Sequence, residues 1–160
     1  MFQLEKSEVM KDQSIGRVTV LMIALAVVTV SCMDDVNTDP KNLLGRWQMI
    51  KVIHQGKTSS KPNSSDWLHE VEIEFLENGE IVGTLPTEDF TGDYKISDGD
   101  SIAITRWKSS KKGIPAWGEY FFYNVHLVTT FSMRKKGLSF NYNELSFNYN
   151  DGELIFNRVK

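Results

Sequence analysis

HEVEIEFLENGEIVGTL, His69 to Leu85, decides the fold. Its first half alternates strictly, with Val71, Ile73 and Phe75 on one face of a β-strand and Glu70, Glu72 and Glu74 on the other. Its middle, Glu77-Asn78-Gly79-Glu80, carries the Asn-Gly hairpin signal, because a tight turn between strands demands positive φ. Its second half, IVGTL, is the returning strand. One apolar and one charged face describe an antiparallel sheet with one side on a core and the other in water.

Outward from this hairpin the same punctuation recurs. Ser97-Asp98-Gly99-Asp100 separates YKI from SIAIT, and Asp151-Gly152 precedes ELIF. Strands are expected at Arg46 to His54, Glu70 to Leu76, Glu80 to Leu85, Gly92 to Ile96, Ser101 to Trp107 and Thr130 to Arg134, with more near the C-terminus. EYFFYNVHLV, Glu119 to Val128, is aromatic on both faces and fits a buried strand or a short helix. Ser-rich Thr58 to Ser65 reads as a loop, and Asp39-Pro40 as the cap and first residue of one helical turn. Consecutive hairpins make a meander, and about eight strands hide their edges best by curling up. The expected fold is all-β, an antiparallel meander closed into a barrel over residues 44–160.

Before the sheet, Val18 to Val30 is an uncharged apolar run of thirteen residues ending at Ser31-Cys32. That is short for a spanning helix and right for the apolar region of a signal peptide. Lys11 and Arg17 precede it and Met10 offers a start in better register than Met1, so residues 1–31 are read as a signal segment. The small and β-branched residues before Cys32 resemble a bacterial lipobox, which implies that this cysteine is acylated and becomes the N-terminus. Cys32 is the sole cysteine, so no disulfide or thiolate metal site competes for it. Asp34-Asp35 resembles the surface-export signal of Bacteroidota-type lipoproteins and implies display on the outer membrane's outer face; the plainer reading is a solvated acidic tether. Residues 32–43 are expected to be acylated cysteine and polar tether. The 129 residues from Cys32 carry 15 Lys and Arg against 18 Asp and Glu, so no basic field invites nucleic acid.

Two further features resemble the lipocalins. Leu44-Gly45-Arg46-Trp47 is similar to their Gly-x-Trp signature, and Arg158 in the last strand, LIFNRVK, matches the arginine of such barrels. The resemblance implies that Trp47 plugs the closed end above Gly45 and that Arg158 stacks on its indole. The ordered set LxGxW, IEFLENGEIVG, GDYKISDGDSIAIT and GELIFNRV looks like small lipocalin-like domains of bacterial lipoproteins. META-type heat-shock lipoproteins share the LxGxW opening and the LxFxR ending. They carry a Gly-Cys-Asn step where this chain has LPTEDFTG, so META stands second.

Chemistry finds little purchase. His54, His69 and His126 have no ligand-like spacing, no GxSxG turn or phosphate loop is present, and Glu72 with Glu74 reads as a solvated stripe. No enzyme, metal or cofactor is expected. A barrel has a mouth, and Trp107, Trp117, Phe121 and Tyr123 are the candidate contacts for a small apolar molecule or a glycan. The alternative is a filled barrel that serves as an envelope structural or protein-interaction module.

LSFNYNE at 138–144 is followed by LSFNYND at 145–151, a repeat of odd period in a chain with side-chain period two. Leu145, Phe147 and Tyr149 are assigned to the core, and a break is expected between Asn141 and Glu144 so that the first copy does not expose its apolar set.

Overall fold

The computed structural model describes residues 36–63, 70–109, 113–137 and 141–160, all within one unit. The signal segment, Cys32, Asp34, Asp35, Trp67, His69 and the first three residues of the repeat lie outside the described residues. In chain order the strands are β1 (Val36–Asn37), β2 (Gly45–His54), β3 (Lys57–Ser60), β4 (Glu72–Phe75) and β5 (Glu80–Leu85). They continue as β6 (Glu88–Ile96), β7 (Ile102–Lys108), β8 (Thr130–Arg134), β9 (Glu144–Tyr149) and β10 (Gly152–Arg158). One helix, α1 (Ala116–Asn124), lies between β7 and β8 and runs into a 3-10 turn at Val125–Leu127.

All ladders are antiparallel, in the order β1-β8-β9-β10-β2-β4-β5-β6-β7, with β3 beside β2. The first long strand therefore pairs with the last, Trp47 opposite Arg158. One face is apolar throughout. Trp47, Ile73, Phe75, Ile81, Phe90, Phe131, Phe147 and Phe156 are all at most 1% exposed, each contributing about 2 kcal/mol by leaving water. Val71, Ile73 and Phe75 point into this core as their alternation predicts.

Cross-strand size matching keeps the core dense. Phe90 sits opposite Gly83 in the β5–β6 ladder, and a Cβ on Gly83 would meet the Phe90 ring at 2.3 Å and the Glu72 carbonyl at 2.1 Å. Only a hydrogen fits there. The aromatic ring fills the space that the glycine leaves.

Three expectations are corrected. The sheet is not closed into a barrel: β7 and β8 meet at the isolated bridge Ser101 to Thr130, flanked by Ile102 N–H to Thr129 O at 3.0 Å and Phe131 N–H to Asp100 O at 2.9 Å. The physical reason lies in Glu119 to Val128, which is helical over most of its length. As a helix it makes its hydrogen bonds internally and cannot continue the ladder, while Phe121 and Phe122 are buried and Tyr123 stays outside. Second, the loop expected at Thr58 to Ser65 begins as β3, joined to β2 by Gln55-Gly56, both at positive φ as a two-residue hairpin requires. Its residues are polar on both faces, so alternation could not mark it. Third, the tether is not free throughout. Val36 and Asn37 pair with Arg134 and Met133 of β8.

Candidate ligand site

The end of the sheet where the chain enters β2 is built around Arg158. Its guanidinium carbon lies 4.1 Å from the centre of the Trp47 indole. Nε donates to Tyr142 O at 3.0 Å and Nη1 to Leu44 O at 2.8 Å, while Nη2 donates to Asn42 O. The Trp47 indole N–H donates to Leu43 O at 2.7 Å, so every polar group of this plug has a partner. Gly45 lies beneath, at φ 105° and with only 3.1 Å between a would-be Cβ and Arg158 Nη1. The positive φ is what favours glycine here. Burial pulls the Arg158 pKa down from its ordinary value, and three carbonyls with an aromatic face compensate the charge. This is a structural lock, as the expected stacking implies.

The opposite requirement, a place for a ligand, falls at α1. Trp107 packs on Phe90 at 4.3 Å and on Phe121 at 5.6 Å between ring centres, with Phe122 at 6.2 Å. A β-bulge aims it inward: Arg106 and Trp107 together oppose the single residue Gly92. Arg106 takes the strained turn at φ 48°, and its guanidinium pairs with Asp93 outside. Trp117 is buried at 5% exposure and meets Tyr120 at 6.4 Å. Tyr123 turns away, 55% exposed on the outer side of α1. Of the four expected contacts the structure thus joins Trp107 to Phe121, buries Trp117 nearby on the same helix as Phe121, and leaves Tyr123 outside.

Phe90 and Phe122 complete the cluster and escaped sequence reading. Phe90 sits in LPTEDFTG, where the charged neighbours hide an inward series of Phe90, Gly92 and Tyr94 in step along β6. Phe122 belongs to the stretch whose period was ambiguous.

The described residues hold one chemical anomaly. Trp107 Nε1 and Trp117 Nε1 are both buried with no hydrogen-bond acceptor, and they are the two such side-chain groups among the described residues. An unpartnered buried donor costs about 1–3 kcal/mol, so each needs an explanation. Pro115 occupies the N-cap of α1 without a side-chain cap bond. The hollows described are lined by other residues, among them charged side chains such as Arg46, Glu74, Asp93 and Lys108.

No known family model matches the chain, and no curated protein matches it in sequence. Its fold is similar to that of a DUF4847 family protein from Bacteroides vulgatus, with TM-score 0.53 and 13% identity over 78% of this chain and 99% of that one. It is also similar to a protein from Burkholderia xenovorans solved by NMR, with TM-score 0.54 and 16% identity over 81% of this chain and 92% of that one. A lipocalin-like protein from Bacteroides uniformis aligns with TM-score 0.46 and 19% identity over 74% of this chain and 99% of that one. At their identities the first two likenesses are ones of fold alone.

Proposed function

We propose that this chain is an outer-membrane lipoprotein, anchored through acylated Cys32 and displayed at the cell surface with Asp34 and Asp35 as its export signal. Its lipocalin-like body is a binding module, and the ligand is a small apolar molecule bearing a hydrogen-bond acceptor. Trp107, Trp117 and Phe121 form the contacts, with Tyr123 at the rim where α1 lifts. The observation that carries this reading is the pair of buried indole N–H groups without acceptors. Small-ligand sites are apolar surfaces with a few convergent polar groups, and a ligand carbonyl or ether would relieve what the closed state leaves unpaired. An aromatic face beside two donors also suits the apolar side of a glycan.

The test is a thermal-shift panel of long-chain acyl, isoprenoid and glycan pools on the full chain, read beside tryptophan emission. A supporting ligand raises Tm and shifts the emission, and Trp107→Phe with Trp117→Phe weakens it. No rise with any pool, together with unchanged emission, overturns the site. Anchoring is tested separately by palmitate labelling, which Cys32→Ala must abolish, and display by protease treatment of whole cells.

A second reading is favoured by the packed interior. Trp47, Phe75, Phe131, Phe147 and Phe156 are each at most 1% exposed, as close-packed core rings are. On that reading the body is a filled, META-like module that docks an envelope protein on its outside. Crosslinking in intact cells separates the two, since a solid module without a protein neighbour has nothing to do.

A further inference from the structure

Val36, Tyr123 and Leu127 are the exposed large apolar side chains among the described residues, each at least half open to water. They are not scattered over the fold. Val36 belongs to β1, which pairs with the far end of β8, and Tyr123 and Leu127 lie in the stretch that leads into its near end. All three therefore flank the edge of β8 that is turned away from β9. On the helical stretch the outward positions Ala116, Tyr120, Tyr123 and Leu127 recur at helical spacing, with Tyr120 half-buried. From Ile114 to Val128 the one formal charge is Glu119. α1 is thus apolar outside as well as inside, where Phe121 packs on Phe90. A helix of that kind has its outer face covered.

The place where the chain is anchored names the cover. Between Cys32 and Val36 the chain reaches at most about 14 Å. Val36 is fixed beside Arg134 of β8, so the tether has no further slack. Thr130–Arg134 spans about 13 Å of strand, and Leu127 stands just before it. An acyl group on Cys32 holds this flank of the body within reach of the leaflet.

We infer that the outer face of α1 docks on the lipid surface that holds the anchor, with Tyr123 at the headgroup level and Leu127 in the acyl boundary. This rests on the acylation of Cys32 proposed above. A tyrosine suits that boundary because its ring is apolar and its hydroxyl stays wet. Moving a half-exposed leucine or tyrosine into an apolar layer favours the docked state about three- to tenfold each. That is weak for a free chain and sufficient for a tethered one, since the anchor makes the contact intramolecular. The helix that meets the lipid is also the one that packs on Phe90 and Trp107 from inside, so docking sets the candidate ligand site beside the leaflet.

The experiment places the acylated full chain on phosphatidylcholine nanodiscs made with or without a spin label on the acyl chains. Backbone amide signals are the readout. Those of 123–127 are lost on the labelled discs, while those of β3, separated from β8 by β9, β10 and β2, remain. Tyr123→Gln with Leu127→Gln restores them at unchanged Tm, and Leu127→Trp, better suited to the interface, keeps them broadened. Salt at about 0.5 M leaves the broadening in place, because the contact is apolar. Signals at 123–127 no more broadened than those of β3 overturn the docking, as does broadening that salt removes or that is confined to 36–37. Signals that shift only when a disc carries two chains, with no broadening by labelled lipid, assign the face to a second copy instead. Mass spectrometry of the Cys32 peptide reads acylation independently. An acylated chain without broadening sinks only the docking, whereas an unacylated chain sinks the anchoring and the docking with it.

Discussion

Arg158 stands directly opposite Trp47 in the β10–β2 ladder and folds its guanidinium back over the same indole at 4.1 Å. The contact joins the first long strand to the last, and through Asn42, Leu44 and Tyr142 it also gathers the chain's approach to β2 and the loop before β9. Arg158→Ala is expected to cost about 3 kcal/mol, combining a lost cation–π contact with carbonyls left unpaired. Arg158→Lys recovers only part, because a point charge cannot serve three acceptors and stay flat on a ring. Urea unfolding of the three proteins checks the order; a lysine variant as stable as the parent would refute the fork's role.

Gly83→Ala is expected to lower stability by about 2 kcal/mol or more, since its Cβ meets both ring and carbonyl. Phe90→Ala is expected to cost about 3–5 kcal/mol. In the double variant the ring clash is gone while the Glu72 carbonyl still stands 2.1 Å away. The sum is therefore less than additive but not fully compensated, and a double-mutant cycle by denaturant unfolding measures the coupling.

How much of this was legible beforehand follows from the kind of signal each element leaves. β4, β5 and the hairpin between them announce themselves because Glu70, Glu72 and Glu74 stand against Val71, Ile73 and Phe75. The stacking of Arg158 on Trp47 was expected only through the resemblance to lipocalins that LxGxW and the strand-end arginine carry. β3 was not, because Lys57-Thr58-Ser59-Ser60 earns its place through backbone bonds to β2 alone. The pairing of Val36 with Arg134 is long-range and two residues wide, beyond any local pattern. α1 was ambiguous because aromatics on every side satisfy both periods, and only the space between β7 and β8 decides between them. The unpaired indole donors are invisible in sequence, since acceptors are found or missed in three dimensions.

Tyr94 and Tyr149 are both held above the ordinary phenol pKa, first by burial and then by the negative charge of Glu77 and Asp151 respectively. Tyr94 also donates to Leu76 O at 2.8 Å. A proton bound more tightly in the folded than in the unfolded chain stabilises the fold below the unfolded pKa, and that contribution is lost as pH rises through the folded value. Stability should hold from neutral to about pH 10 and then fall. Ultraviolet titration of phenolate, run beside circular dichroism, should show late-ionising tyrosines appearing together with unfolding. Full ionisation of every tyrosine below the unfolding transition would contradict it.

The repeat supplies the last prediction. The second copy forms β9, with Leu145, Phe147 and Tyr149 in the core, while the chain bends at Asn141 and leaves strand geometry through Asn143. Asn143 fastens that bend: its amide spans Lys136 N–H at 2.7 Å and Lys136 O at 3.1 Å, and its carbonyl accepts from Arg158 N–H at 3.0 Å. Removing residues 138–144 brings Leu145 next to Gly137, so that Arg134 to Gly137 becomes a four-residue loop between Met133 and its partner Leu145. That length is ordinary for a hairpin. The sheet should therefore survive. Its stability should fall by about 2 kcal/mol, because the backbone carbonyls of Tyr142 and Asn143 no longer receive Arg158. Circular dichroism and urea unfolding of the shortened chain read both halves of the expectation. Loss of the folded state would show that the first copy is part of the core, and an unchanged midpoint would show that its bonds to Arg158 contribute nothing.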